Sequence, residues 1–445
     1  MASDTAELGG ARRLGRPAAQ WAPARGIEPL GAVLEAVRLG HGASRADIVR
    51  HTGLSRGVVA QRLSDLIAIG LIVDAEIAES TGGRPPRRPR FNGEAGTLLV
   101  ADIGATSIDV AITDLAGTIL ASRAEDADVA DGPDVLLGRV EELFEEVLAE
   151  AGKDDAGAPW GIGIGVPGPV EFATGRPVSP PIMPGWNGYP VRDRFVERYG
   201  APVWVDNDVN IMALGEWRSG AARYHANVVF VKIGTGIGAG VISDGYLHRG
   251  ARGSAGDVGH IQVTDDRAVV CRCGNIGCLE AMAGGHALAR EAEAAARDGR
   301  SAYLAEILAA GGRLSARDLA DGATRGDGVC QELLQRSGHL VGAMLASVVN
   351  FFNPSLIVIG GGVASAGDQL LAAVREAVYR RSLPLATRDL LILPSALGGR
   401  TGSIGAAAMV ADELFSPANL AATLARHATA GGTHDGVVAV SGMAG

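Results

Sequence analysis

Aromatic residues are scarce in this 445-residue chain, at 4%, and cysteines number only four. So few thiols do not make a disulfide framework for a chain of this size. Long apolar runs are missing as well. No stretch reaches the roughly 18 uninterrupted apolar residues of a membrane span, and the Arg-dotted, Gly/Ala/Pro-rich start lacks the apolar run of a signal peptide. A cytoplasmic protein without a membrane partner is the expectation. Net positive charge is absent: the balance of −10 argues against wholesale coating of nucleic acid, so any DNA contact has to come from a local basic patch. No Gly-x-x-x-x-Gly-Lys-Ser/Thr loop occurs, which removes the P-loop class. What is present is an apolar fraction of 47% and 64 glycines, the composition of an α/β protein with many tight strand-to-loop turns.

Along the chain, residues 1–26 carry arginines among small residues and prolines without a buriable face, and read as a flexible lead-in. Residues 27–92 hold apolar residues at helical spacing in three bursts: Leu30, Val33, Leu34 and Val37; Ile48 and Val49; Val58, Val59, Leu63, Leu66 and Ile67. Ser44 and Ser55 are N-caps for the second and third helices, and Thr52-Gly53 ends the second, which is a helix-turn-helix. Leu71–Glu76 reads as one strand of a wing, and the following loop, Thr81 to Arg90, carries four arginines. Residues 93–416 form a body in which a strand, a glycine turn and a hairpin recur, first around Asp102-Ile103-Gly104-Ala105-Thr106 and again around Gly234-Thr235-Gly236-Ile237-Gly238. Two related α/β lobes follow from that repetition, with helices over Val135–Ala151, His286–Arg297 and Val329–Phe352. Residues 417–445 read as a weakly structured tail.

In a helix-turn-helix the second helix of the pair presents its N-terminal residues to the major groove. Here those residues are Ser55, Arg56, Gly57, Val58, Gln61 and Arg62. Arg56, Gln61 and Arg62 can donate to bases or phosphates, and Arg84, Arg87 and Arg88 on the wing loop supply the local basic patch. The competing reading is a small helical docking domain with a solvated charge loop.

The body offers three chemistries. Asp102, Gly104 and Thr106, with Gly234, Thr235, Gly236 and Gly238, form two glycine turns whose backbone amides can face phosphates, with Asp102 to hold a hydrated Mg²⁺. Gly361, in the cluster after the apolar strand Leu356–Ile359, can lie beneath an adenine. Asp206-Asn207-Asp208 ends another apolar strand, where ligands of open α/β sheets bind, though such a triplet more often caps the next helix. His260 with Cys271, Cys273 and Cys278 completes a four-ligand zinc set that leaves no position for water, hence a structural metal, flanked by Asp257 and Glu280. The bland alternative is a cluster of reduced structural cysteines with His260 elsewhere.

These motifs together resemble the ROK family, named for repressors, open reading frames and kinases. The resemblance runs from about residue 30 to residue 410 and rests on Asp102–Thr106, Asn207-Asp208, Gly234–Gly240, Gly256-Asp257-Val258-Gly259-His260 and Cys271-x-Cys273-Gly274-x-x-Gly277-Cys278-x-Glu280. It implies an actin-like, hexokinase-like pair of α/β lobes behind a winged helix-turn-helix head. It implies further that Asp208 is the catalytic base of a kinase, and that Asn207, His260 and Glu280 touch sugar hydroxyls together with Asp208 and Asp257. Members with such a head are mainly sugar-responsive regulators, so a repressor that binds operator DNA and a sugar is the first reading. An ATP-dependent sugar kinase using Mg-ATP is the second, and a ligand-free zinc scaffold a third. A palindromic operator needs two heads, which implies a homodimer or homotetramer. Asp257 departs from the family, whose kinases carry Glu there. The lost methylene withdraws the carboxylate by about 1.5 Å, a carbon–carbon bond.

Overall fold

The computed structural model describes residues 27–42, 44–76, 87–153, 157–364 and 368–430. The lead-in 1–26 and Arg84 lie outside the described residues. The head consists of α1 (Ile27–Arg38), α2 (Arg45–Thr52) and α3 (Arg56–Ala68), followed by β1 (Ile72–Glu76) and β2 (Arg87–Phe91). Local chemistry sets these boundaries. The Ser44 hydroxyl accepts from the Asp47 amide, Gly53 closes α2 in the left-handed region at φ 68°, and Ser55 accepts from the Val58 amide to start α3. The β strands pair antiparallel, from Ile72 opposite Phe91 to Glu76 opposite Arg87. Arg87 and Arg88 thus belong to the second strand and not to the loop where the sequence placed them. Pro89 is compatible with that strand because a two-stranded ribbon is all edge.

The first lobe contains β3 (Thr97–Ile103), β4 (Ser107–Asp114), β5 (Ile119–Asp126), α4 (Pro133–Glu150), β6 (Gly161–Val166), the short hairpin β7 (Val170–Glu171) and β8 (Arg176–Pro177), α5 (Val191–Tyr199) and β9 (Val203–Asn207). From it α6 (Asp208–Ser219) leads to the second lobe: β10 (Val228–Ile233), β11 (Ile237–Ser243), β12 (Tyr246–Leu247), α7 (Leu279–Ala283), α8 (Gly285–Arg297), α9 (Ala302–Ala309), α10 (Ala316–Thr324), α11 (Gly328–Phe352), β13 (Leu356–Gly360), α12 (Asp368–Arg381), α13 (Pro384–Thr387) and β14 (Leu391–Pro394). α14 (Thr401–Leu414) and α15 (Leu420–Ala430) close the described chain. The two five-stranded sheets, β5-β4-β3-β6-β9 and β12-β11-β10-β13-β14, share one plan: three antiparallel hairpin strands, then two parallel ones. Their central strands are buried nearly end to end, which explains the continuous apolar runs Leu98–Ala101 and Val228–Val231.

α6 and α14 pack against each other so closely that a Cβ on Gly405 would sit 1.6 Å from the Ile211 carbonyl oxygen. Backbone on both sides leaves no room to yield. Gly405→Ala is therefore expected to force the helices apart at a cost of about 3 kcal/mol, read as a lower calorimetric Tm.

Head and body are not beads on a string. Val33, Leu34, Ile48, Leu63 and Leu66 of the head belong to one continuous buried cluster with Leu98, Val100, Met409, Val410, Leu414 and Phe415 of the body. Phe91 meets Phe415 edge to face at 5.7 Å, and the Asn92 amide donates to the Leu71 carbonyl at 2.9 Å. The start of the supposedly weakly structured tail is a helix. In α15, Leu420 is fully buried against Gly31 of α1, and His427 stacks on Trp160 of the first lobe at 3.8 Å. Its order comes from those distant partners, which is why local composition did not reveal it. Residues 431–445 lie outside the described set. No helix among the described residues is long and apolar enough to cross a membrane.

Candidate ligand cleft and metal knot

The carboxyl end of β9 delivers Asp206, Asn207 and Asp208 to the start of α6, and the structure gives each a different task. Asn207 caps the helix: its Oδ1 accepts from the Val209 amide at 2.9 Å and the Asn210 amide at 3.3 Å, and its Nδ2 donates to the Gly168 carbonyl at 3.0 Å. Asp206, 1% exposed, accepts from Arg249 Nε at 2.7 Å and Asn210 Nδ2 at 2.8 Å and faces away from solvent. Asp208 is buried at 4% exposure. Its Oδ1 accepts from the Val209 amide at 2.9 Å, and its Oδ2 accepts from Lys232 Nζ at 2.5 Å.

Lys232 lies on β10, so this ion pair joins the second lobe to α6. Burial opposes the charge of Lys232, but Asp208, Asp102 and Asp109 outweigh burial and hold its ammonium above the ordinary lysine range. Asp102, at the end of β3, is pushed up to about 7, chiefly by burial and further by Asp208 and Asp109, against the pull of Lys232. A Cβ on Gly402 of α14 would meet its Oδ2 at 1.8 Å, and its Oδ1 has no hydrogen-bond partner among the described residues. A carboxyl whose folded value lies above its unfolded 3.8 holds its proton longer when folded, so stability falls as pH rises from about 4 to about 7. Asp102→Asn is expected to flatten that decline. Thermal melts of both proteins across this range should diverge increasingly toward neutral pH.

The glycine turns frame this pair. The Gly234 amide donates to the Gly236 carbonyl at 2.9 Å, while the carbonyls of Gly234 and Thr235 accept from the Gly285 and His286 amides at 2.7 and 3.1 Å. Gly238 abuts Val209 of α6, and Gly361, at φ 95°, lies against the Ile233 carbonyl. In the first lobe the Gly104 amide donates to the Ser107 carbonyl at 2.8 Å, and the Thr106 carbonyl accepts from the Ala127 amide at 3.1 Å. Glu280 Oε2 accepts from the Ile237 amide at 3.1 Å, directly beside Gly236, and its Oε1 accepts from Arg272 Nη2 at 3.3 Å. A divalent cation does not fit this arrangement. The carboxyl expected to hold it, Asp102, and its neighbour Asp208 already face the Lys232 ammonium, and a second cation there would meet like charge.

The cysteine knot has the opposite character. The ligand atoms of His260, Cys271, Cys273 and Cys278 all lie within 4.8 Å of one another, with Cys271 Sγ 3.7 Å from His260 Nδ1 and Cys273 Sγ 3.8 Å from Cys278 Sγ. The edges of a tetrahedron with Zn–S bonds of about 2.3 Å are about 3.8 Å long. Burial and the neighbouring Cys273 and Cys271 sulfurs push the Cys278 thiol up to about 12, so three thiolates at this spacing call for a cation. The donor set fits a closed four-coordinate metal. His260 then has two faces: Nδ1 points to the knot, and Nε2 stands 3.9 Å from Asp257 Oδ1. Asp257 is raised by burial first and by Glu280 last, with His260 opposing.

On the head, the N-cap Ser55 and, in the first turns of α3, Arg56 and Gln61 are exposed, and Arg88 is exposed on β2. Arg62 is half-buried and donates to Asp65 Oδ2 at 2.8 Å, while Gln61 donates to Asp65 Oδ1 at 2.9 Å.

The sequence profile of the ROK family matches residues 99–413, the span that carries both glycine turns, Asp208 and the cysteine knot. The chain belongs to the ROK family. Among its relatives is a xylose repressor of Caldicellulosiruptor bescii, 30% identical over 376 residues, covering 84% of this chain and 92% of that protein. Among solved structures, a ROK family transcriptional regulator homologous to the Escherichia coli Mlc protein superposes with a TM-score of 0.75 at 27% identity over 90% of this chain and 99% of that one. A ROK family glucokinase from Streptomyces griseus, solved with glucose and AMPPNP, gives a TM-score of 0.61 at 30% identity, covering 71% of this chain and 99% of that one. The body therefore has the two-lobed, actin-like fold of the ROK sugar kinases.

Sequence reasoning missed Lys232 and Arg249, the partners of Asp208 and Asp206. A signal existed for the first. Lys232 is the one charged residue in the run Val228-Val229-Phe230-Val231-Lys232-Ile233, and a lysine in an otherwise apolar central strand calls for a carboxylate partner.

Proposed function

We propose that this ROK protein is a sugar-responsive transcriptional repressor: its head is a winged helix that binds operator DNA, and its cleft binds a sugar that alters the head's hold on that operator. The observation that carries this reading is where similarity stops. The regulator fold covers 90% of the chain and so includes the head, while the glucokinase fold covers 71%. The shared core of head and body supplies the mechanical link that a regulator needs. Ser55, Arg56 and Gln61 face the major groove, Arg88 and the adjoining Arg84 and Arg87 meet phosphates, and two copies of the chain read the two halves of an operator in the cytoplasm. Arg62, tied to Asp65, positions α3 and contacts DNA only if that pair opens. In the cleft, Asn207, Asp208, His260, Glu280 and the shorter Asp257 receive sugar hydroxyls, and one structural zinc occupies the knot. Xylose and glucose, the sugars named for the relatives, set the class to screen: pentoses and hexoses. The glycine turns and Asp208 keep a kinase reading open in principle, but Lys232 opposes it.

Selection of genomic fragments by the purified protein, then anisotropy titration with and without each sugar, tests the reading. Arg56→Ala should lower affinity for the selected fragment about tenfold or more, because one good base contact is worth roughly 1–3 kcal/mol. If Arg56 touches a phosphate instead, the loss should be uniform across sequences and the salt slope should fall by about one. A protein that enriches no fragment, with or without sugar, is not a repressor.

A further inference from the structure

We propose that Lys232 is a built-in cation of the cleft, its ammonium standing where a phosphoryl-transfer site needs a divalent metal, so that the cleft binds sugar without transferring phosphate. The proposal deepens the sensor reading of the same site. Three observations carry it. First, Lys232 extends from β10, and the carboxylates it faces come from elsewhere: Asp208 from α6, Asp102 from β3 and Asp109 from β4. Its side chain is 21% exposed and that of Asp208 6%, so the pair is shielded and forms a strut between the lobes. Second, both oxygens of Asp208 are engaged, Oδ1 by the Val209 amide and Oδ2 by the ammonium. Each retains a lone pair to accept a hydrogen bond from a sugar hydroxyl, and that suffices for binding. Taking the hydroxyl proton is different: it would neutralise the carboxylate and strip a partly buried ammonium of its closest partner. Third, metal ions in phosphoryl transfer bridge phosphate oxygens and neutralise the charge that develops there. An ammonium has three donors tethered to one side chain and no coordination sphere to share. Lys232 satisfies the carboxylates but cannot bridge a triphosphate to them.

Asp102 agrees with this account, being only part ionised near neutral pH. A carboxyl at about 7 beside an ammonium is a poor seat for a dication.

Mn²⁺ alone, titrated calorimetrically into the purified full chain with its knot loaded, tests the proposal without DNA or sugar, so the outcome is independent of whether the protein is a repressor. Lys232→Met keeps the length of the side chain and removes its charge. The expected result is Mn²⁺ binding by Lys232→Met at least tenfold tighter than by the native chain, and its loss in Lys232→Met combined with Asp208→Asn. Equal binding by native and variant chains, tight or absent, overturns the proposal. So does Mn²⁺ binding by the native chain that Asp208→Asn abolishes. Should Lys232→Met fail to fold, Lys232→Gln, which keeps a donor for Asp208 without the charge, serves the same comparison. A parallel ADP-release assay over glucose, xylose and N-acetylglucosamine should show no turnover by the native chain. Turnover there would also overturn the proposal, and it would do so whether or not the head binds an operator.

Discussion

Cys273→Ser is expected to release the metal from the knot and to weaken sugar binding at a site the cysteine never touches. The donor atoms already stand at tetrahedral spacing, and a closed site contributes its binding energy to folding. With one thiolate gone the remaining ligands hold zinc far less tightly. Cys271 and Cys278, both buried, are left with thiols that no cation stabilises. The hairpin that Val270 and Ile276 bridge, and the Gln262–Cys278 bridge beside it, lose their clamp. The consequence travels through His260. Its Nδ1 faces the knot and its Nε2 the Asp257 side of the cleft, so metal loss frees the ring to rotate. A lost hydrogen bond between neutral groups, an imidazole N–H and a sugar hydroxyl, is worth roughly 0.5–1.5 kcal/mol, or about two- to tenfold in affinity. Elemental analysis should fall from about one zinc per chain to none, calorimetry should show a lower Tm, and sugar titration should show the weakened site. Full metal content in Cys273→Ser, or unchanged sugar affinity in a metal-free chain, would contradict the account.

The knot, the helix caps and the glycine turns were legible because their chemistry is local. Ser44, Ser55 and Asn207 act on amides two or three residues away, and the cysteines crowd into eight positions. Duplication of the hairpin was legible too, since turn signals recur in the same order in both lobes. What was not legible depends on partners far along the chain. Lys232 meets Asp208 across 24 positions, Arg249 meets Asp206 across 43, and α15 is ordered by residues in α1 and at Trp160. The boundary between head and body at residue 92 was legible, but the extent of the shared core behind it was not. That core draws on α14, three hundred residues away.

The largest effect on regulation is expected from Asp412. Arg38 at the end of α1 donates to its Oδ1 at 2.6 Å, and Arg218 at the end of α6 donates to the same carboxylate. The head and the cleft helix therefore meet at a single acid on α14. α6 starts at Asp208 in the cleft, capped by Asn207, and reaches Arg218 ten residues and about 15 Å on. α14 crosses it where Gly405 meets the Ile211 carbonyl, and spans from Gly402 against Asp102 to Asp412, with Phe415 just beyond its end against Phe91 of the head. On the proposed reading, a sugar that draws on the α6 start would shift the far end of α6, where Arg218 and Arg38 share Asp412. Asp412→Ala leaves two largely buried guanidinium groups facing each other without their shared anion, Arg38 at 11% and Arg218 at 17% side-chain exposure. Breaking a fully buried pair costs about 3–5 kcal/mol, and the 32% exposure of Asp412 places this case below that range. Coupling between sites is typically about 1–3 kcal/mol, roughly 5–150-fold in affinity. The expected result is that sugar changes operator affinity of the native chain within that range and changes that of Asp412→Ala by less than twofold, with sugar binding itself retained. Arg38→Ala combined with Asp412→Ala removes the repulsion and should recover stability without recovering the response. A double variant that responds to sugar like the native chain would mean that the signal passes through the shared apolar core and not through this acid.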